Sequence, residues 1–169
     1  MPDVSDSASL EERVRELERR VAIMRDVEAI RDLRRRYHER INEGRYGELV
    51  ELFASDAQAH FGAFGEARGA DGLRKLFSER LFSDAVTFIK QFVHNHTVEL
   101  DGDLAAGFCY LEAKTVNDGE SFFVAGRYDD EYVRTADGWR FSSMRLTPSF
   151  AVPVGHGWVD AWVPKPGRR

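Results

Sequence analysis

Apolar residues in the first quarter of the chain recur every three or four positions, the period of a helix that buries one side. Leu10, Val14, Leu17, Val21 and Met24 alternate spacings of four and three, a narrow heptad-like seam. From Val27 the stripe shifts to Val27, Ile30, Leu33, Tyr37 and Ile41, which predicts a break or bend near residues 24–26. Ser9 with Glu12 forms a capping-box start and Gly44 offers a stop. The seam is too short for an independent coiled coil, so it packs on another subunit or on its own domain. A second helix, about 46–54, carries Tyr46, Leu49, Val50 and Phe53 on one side. "AQAHFGAFG" comes next as a short strand and a Gly-rich bend. "GADGLRKLFSERLF" is a third helix, with Leu73, Leu76, Phe77 and Leu81 at helical spacing.

The rest of the chain reads as long strands separated by tight turns. "VTFIKQFVHNHTVEL" closes at "DGD", a hairpin signal, and "LAAGFCYLEAKTV" returns to "NDGE". "SFFVAGRYDDEYVRT" runs to "ADG", and "WRFSSMRLTPSFAV" is the last strand. Residues 1–8 read as a disordered tail, 9–152 as one domain, and 153–169 as a Pro- and Gly-containing tail laid over the surface. Helices first and an antiparallel meander afterwards imply an α+β fold, one curved, mostly antiparallel sheet wrapped around the N-terminal helices.

Composition narrows the function classes. A hydrophobic share of 43% suffices for one core, and twelve Phe with three Trp can fill it or line a cavity for an apolar ligand. A net charge of −5 argues against nucleic acid as a partner. Arginines crowd residues 13–40, but acids interleave with them ("LEERVRELERR"), the pattern of a solvated helix face. Cys109, the one cysteine, cannot form an intrachain disulfide or a cysteine-based metal site. No apolar run reaches membrane-spanning length and "MPDVSDSAS" has no signal-peptide core, so the expected location is cytoplasmic, with no membrane partner.

Motifs with their own chemistry are absent: no Gly-rich phosphate loop, no nucleophile elbow, no HExxH. His94 and His96, two apart on one strand, are expected on the same face. Without a placed carboxylate or third His they are read as surface or sheet-bonded residues, and no metal site is assigned. His60 reads as a strand histidine, and His156 lies in the tail. Tyr37 sits on the apolar side of the first helix, as a core tyrosine or as a phenol that donates to a substrate oxygen. Asn42, near the Gly44 stop, is a helix-terminal residue or part of a site, and periodicity leaves both open.

"LEERVRELERRVAIMRDVEAIRDLRRRYHERINEGRYGELVELFASDA", followed by the long strands and "GRYDDEYVRTADGWRFS", resembles the SnoaL-like branch of the nuclear transport factor two-like superfamily over roughly residues 10–150. Within that branch it resembles bile-acid 7α-dehydratase, scytalone dehydratase and hexachlorocyclohexane dehydrochlorinase. The resemblance implies a cone-shaped barrel with a small apolar ligand in its open end, a homotrimer, and elimination or related proton-transfer chemistry with no cofactor. In those lyases an Asp near the end of the Tyr-bearing helix orients a His on the first long strand, which takes the substrate proton. Aligning "RRRYHERIN" puts Tyr37 at the tyrosine of the dehydratases and Asn42 at the Asp. Aligning "KQFVHNHTVELDGD" by its turn puts Gln91 at the His. A strand register slipped by three residues would put His94 there instead.

Neither amide is a base near neutral pH, so the His–Asp mechanism does not carry over. The paired change fits a neutral polar pair at the cavity floor that holds a ligand oxygen or a water. Tyr37, Asn42 and Gln91 are therefore the expected catalytic group. Ala59, Phe61, Val93, Asn95, Tyr128, Met144 and Leu146 are expected to line the pocket, the last two sharing a strand face. These residues fit two functions. One is a cofactor-free lyase, isomerase or cyclase acting on a hydrophobic, oxygenated molecule of polyketide, steroid or terpenoid type. The other is a binding protein that kept the fold and lost the catalytic dyad.

Overall fold

In the computed structural model, which describes residues 4–157, the first helix α1 (Val4–Asn42) is continuous. It begins ahead of the expected Ser9 cap, and no break interrupts residues 24–26. The shift in the apolar stripe instead marks where α1 enters the domain. Every residue from Ser9 to Arg25 except Glu16 is exposed, whereas Ile30, Leu33, Tyr37 and Ile41 are buried. Each such buried side chain contributes roughly 1.5–3 kcal/mol by leaving water. Gly44, at φ 74°, ends the helix as expected in the left-handed conformation that glycine adopts without steric cost.

The expected second helix is a 3-10 segment, Tyr46–Leu52, and its last expected residues already belong to strand β1 (Phe53–His60). A short strand β2 (Glu66–Arg68) folds back on β1. The third expected helix forms as α2 (Gly69–Lys75) continued by a π-helical turn, Leu76–Leu81, and it buries Leu73, Leu76 and Phe77. The meander comes after it as β3 (Val86–Asp101), β4 (Leu104–Asn117), β5 (Glu120–Thr135) and β6 (Gly138–Pro153). Of the expected C-terminal tail, Pro153 ends β6, and residues 158–169 lie outside the described residues.

The six strands form one sheet in the order β2-β1-β6-β5-β4-β3. All neighbours are antiparallel except β1 and β6, a parallel pair that a simple meander does not contain. The sheet curls around the domain half of α1 as a cone and does not close, leaving β2 and β3 as its edges. The α+β expectation and the mostly antiparallel sheet are thus observed. No described helix is long and apolar enough to cross a membrane.

Candidate functional site

On the concave side of the sheet lies a cavity of about 300 Å3, near the lower end of the range for small-molecule sites. Its wall is largely aliphatic and aromatic, with Phe61, Phe82, Ile89, Leu111, Val124 and Leu146 contributing. At one end the wall carries Tyr37, Tyr128 and Gln91; the polar residues toward the β3 start are Ser83, Thr115 and Asn117. No acidic, basic or imidazole side chain of the described residues lines it.

Behind Gln91 stands a polar column on α1, buried at Arg34 and His38 and half-buried at Asn42. Arg34, His38 and Asn42 succeed one another at intervals of four and so share one helix face. Arg34, 1% exposed, forms an ion pair with Asp130 of β5. Its guanidinium carbon lies 4.5 Å from the Tyr128 ring centre, 4.7 Å from Phe141 and 5.2 Å from Tyr37, so aromatic faces take up a cation that has no water. Asp130 also accepts a 2.9 Å bond from the Tyr132 hydroxyl, which lies 3.1 Å from His96 Nε2. Burial opposes the Arg34 charge, but the Asp130 carboxylate more than offsets it and holds the arginine protonated. Burial lifts the Asp130 carboxyl above its ordinary value, with Arg34 pulling the other way. Arginine keeps its proton, and a buried cation needs its counter-charge, so the pair is ionised.

His38 is buried between this pair and the cavity wall. Arg34 Nη1 faces its Nε2 at 3.5 Å, and its Nδ1 lies 2.9 Å from Gln91 Oε1. Burial first, and then the Arg34 charge, holds the His38 pKa well below the ordinary value, so the ring is neutral near pH 7. Arginine only donates, so the His38 lone pair belongs on Nε2 and the proton on Nδ1. Nδ1–H then donates to Gln91 Oε1, which turns the acceptor end of the glutamine away from any ligand. Burial pushes the Tyr37 and Tyr128 phenols well above their usual range, so both stay protonated, and the two side chains hydrogen-bond to each other, which occupies one of the two O–H groups.

Among the expected site residues, Tyr37, Gln91, Phe61, Tyr128 and Leu146 meet at the cavity. Asn42 does not. Its Nδ2 donates to the Gln91 carbonyl at 2.8 Å and its Oδ1 accepts from the Gln91 N–H at 2.7 Å. Because β3 is a sheet edge with β4 as its one strand neighbour, that side of the Gln91 backbone would otherwise be unpaired. A carboxylate could accept there but not donate; an amide does both.

Ala59 and Met144 are fully buried in the core away from the cavity, and Arg34 Nη1 reaches the Met144 sulfur at 4.0 Å. Val93 lines a separate, open groove with His38, Asn42 and His96. Asn95 is exposed, with φ 54°, at a β-bulge where the β3–β4 register shifts between His94 and Thr97. One extra residue reverses the facing of the side chains beyond it. His94 therefore points outward near Glu112, 3.7 Å away, and His96 points inward to Tyr132, so the expected same-face pair is split. With Gln91 opposite Ala113 and facing in, His94 does not take its place.

The solvated face expected over residues 13–40 holds for most arginines there but fails for Arg34. Arg34 and His38 are the functional residues that sequence reasoning does not single out. The signal available for them is their spacing with Asn42, a polar column one step around the helix from Leu33, Tyr37 and Ile41. Arg34 sits beside apolar neighbours at helical spacing, but its partner, Asp130, is 96 residues away and invisible to local pattern.

Comparison with known proteins places this geometry. The family model described as SnoaL-like domain matches residues 22–145. An uncharacterized protein of Mycobacterium tuberculosis, Rv2910c, is 31% identical over 110 residues, covering 62% of this chain and 72% of its own. Hexachlorocyclohexane dehydrochlorinase from Novosphingobium barchaimii superposes with a TM-score of 0.71 at 20% identity, over 83% of this chain and 95% of that one. A candidate scytalone dehydratase from Novosphingobium aromaticivorans gives 0.69 at 17% identity, over 80% and 90%.

Proposed function

The chain belongs to the SnoaL-like domain family, and from that premise we propose that it is a cofactor-free lyase, isomerase or cyclase for a hydrophobic, oxygenated small molecule of polyketide, steroid or terpenoid type. The observation that carries this reading is the convergence of Tyr37, Tyr128 and Gln91 on one end of an otherwise apolar cavity without charged lining. The two phenols stay protonated and hydrogen-bond to each other, which leaves one O–H of the pair for a ligand, and the bond from His38 leaves the Gln91 amide N–H groups as its free end. A phenol O–H and the Gln91 amide, two neutral donors in a dry pocket, suit a ligand carbonyl, whose oxygen gains negative charge as the carbon framework reacts. The names of fold neighbours that carry out elimination support the lyase class. Absence of a base at the wall favours the subset of reactions that need polarisation and a held conformation, such as ring closure, with any proton passing through Tyr37 or water.

Native mass spectrometry of the purified protein, with extraction of whatever it retains, tests the reading. The expected ligand is apolar with at least one carbonyl or hydroxyl. With that ligand or its precursor as substrate, Gln91→Leu should lower turnover by about 100- to 1000-fold, the usual effect of removing one such donor. The wild-type rate should stay level between about pH 5.5 and 8, where an imidazole base would titrate. A charged ligand, or a rate limb near pH 6.5, would refute the assignment. The uncharged wall also favours a second reading, a binding protein without turnover. It predicts a retained molecule released unchanged after long incubation.

A further inference from the structure

We propose that Arg34 and His38, neither of which lines the cavity, are positioning residues that hold the Gln91 amide with its N–H groups inward and so make the cavity select a ligand carbonyl over a hydroxyl. The inference rests on the reading above that a ligand oxygen sits against Gln91 and the phenols. An amide has nearly the same shape at its oxygen and nitrogen ends, so packing alone does not choose which end a ligand meets. The Gln91 backbone is already fixed, because Asn42 engages both its N–H and its carbonyl. The side-chain amide is what is left to be set, and the groups that set it lie behind it.

The direction comes from the far end of the column. Asp130 pairs with Arg34, and a guanidinium donates at every nitrogen. The His38 Nε2 that faces it at 3.5 Å therefore presents its lone pair. The single proton of the neutral ring is then on Nδ1, and the Gln91 atom 2.9 Å away must accept it. Reversing the amide would require the proton on Nε2, setting ring N–H against guanidinium N–H between side chains only 1% and 5% exposed. Polarity thus passes one way, from a buried ion pair through a ring to the cavity wall. A ligand carbonyl accepts there from the Gln91 N–H and from the free O–H of the phenol pair together. A hydroxyl brings a hydrogen of its own. The amide oxygen that could take it is turned to His38, and the phenol oxygens that remain are poorer acceptors. A polar hydrogen left unpaired in a dry pocket is what lets a site reject one oxygen function in favour of another.

Calorimetric titration of the full chain with camphor and with borneol, one apolar cage carrying a carbonyl or a hydroxyl, tests the selection. Camphor should bind about tenfold more tightly, the effect of one buried hydroxyl hydrogen without a good acceptor. His38→Phe keeps a ring but no donor, frees the amide, and should bring the two affinities together. His38→Gln, whose amide can accept from Arg34 and donate to Gln91, should keep them apart. A side chain that only filled space would give the reverse order, because Phe replaces the ring better than Gln does. Nitrogen–proton NMR correlations of the purified protein at neutral pH should show the His38 ring protonated on Nδ1, identified by the signal that His38→Gln removes. Equal affinities, tighter binding of borneol, binding of neither probe, or a ring protonated on Nε2 would overturn the proposal. Selection for camphor without turnover of any ketone would refute the lyase reading alone and leave this inference standing.

Discussion

Asn42 illustrates how a residue aligned with a catalytic acid can carry a structural task that the acid could not perform. Its side-chain amide behaves as a short piece of neighbouring strand, donating to and accepting from the backbone of Gln91. Replacing it with Asp removes the donor and sets a carboxylate oxygen against the Gln91 carbonyl. Asn42→Asp is therefore expected to cost about 1 kcal/mol, the usual net worth of a hydrogen bond at a half-buried site. Urea unfolding measures this, and a midpoint equal to that of the wild type would show that the clasp contributes nothing. The same contact makes restoration of a His–Asp dyad by Asn42→Asp with Gln91→His self-defeating, because the new carboxylate meets the backbone before it meets the imidazole.

At the scale of elements, the bulge in β3 decides which histidine enters the domain. The two strands approach so closely beside it that a Cβ on Gly107 would collide with the backbone carbonyl of Thr97. Gly107→Ala should therefore force the hairpin apart, at a cost of about 1–3 kcal/mol, as overpacking does elsewhere. Thermal unfolding would register it, and an unchanged transition would mean that the bulge yields freely. The bulge also marks where sequence reading stops. Alternation along β3 is legible as far as His94, and from it Gln91 and His94 fall on opposite faces, as observed. A single inserted residue breaks the alternation without any change in composition that announces it. The long strands and the DGD, NDGE and ADG turns are equally legible, because turn chemistry is local. The parallel β1–β6 pairing and the Arg34–Asp130 bond join residues far apart in the chain, so no local spacing encodes them.

For the whole molecule, buried neutral imidazoles tie folding stability to pH. Burial first, and then the charge of Arg34, lowers His38 well below its ordinary value and His96 to about 4. In the unfolded chain both titrate near 6.5. Below that point the unfolded state binds more protons than the folded one, so stability falls as the pH drops from about 6.5 toward the folded value. His38→Gln and His96→Gln should each flatten this decline. Denaturant midpoints measured from pH 7 to 4 would show it, and a wild-type profile level across that window would contradict it. The strand order of the molecule has a consequence for its synthesis. The last of the described strands in chain order, β6, sits in the interior of the sheet between β1 and β5. Until Pro153 has left the ribosome, both of those strands expose a backbone edge ready to pair with another chain. The newborn sheet is thus most open to wrong partners just before β6 arrives, and that one strand closes two gaps at once.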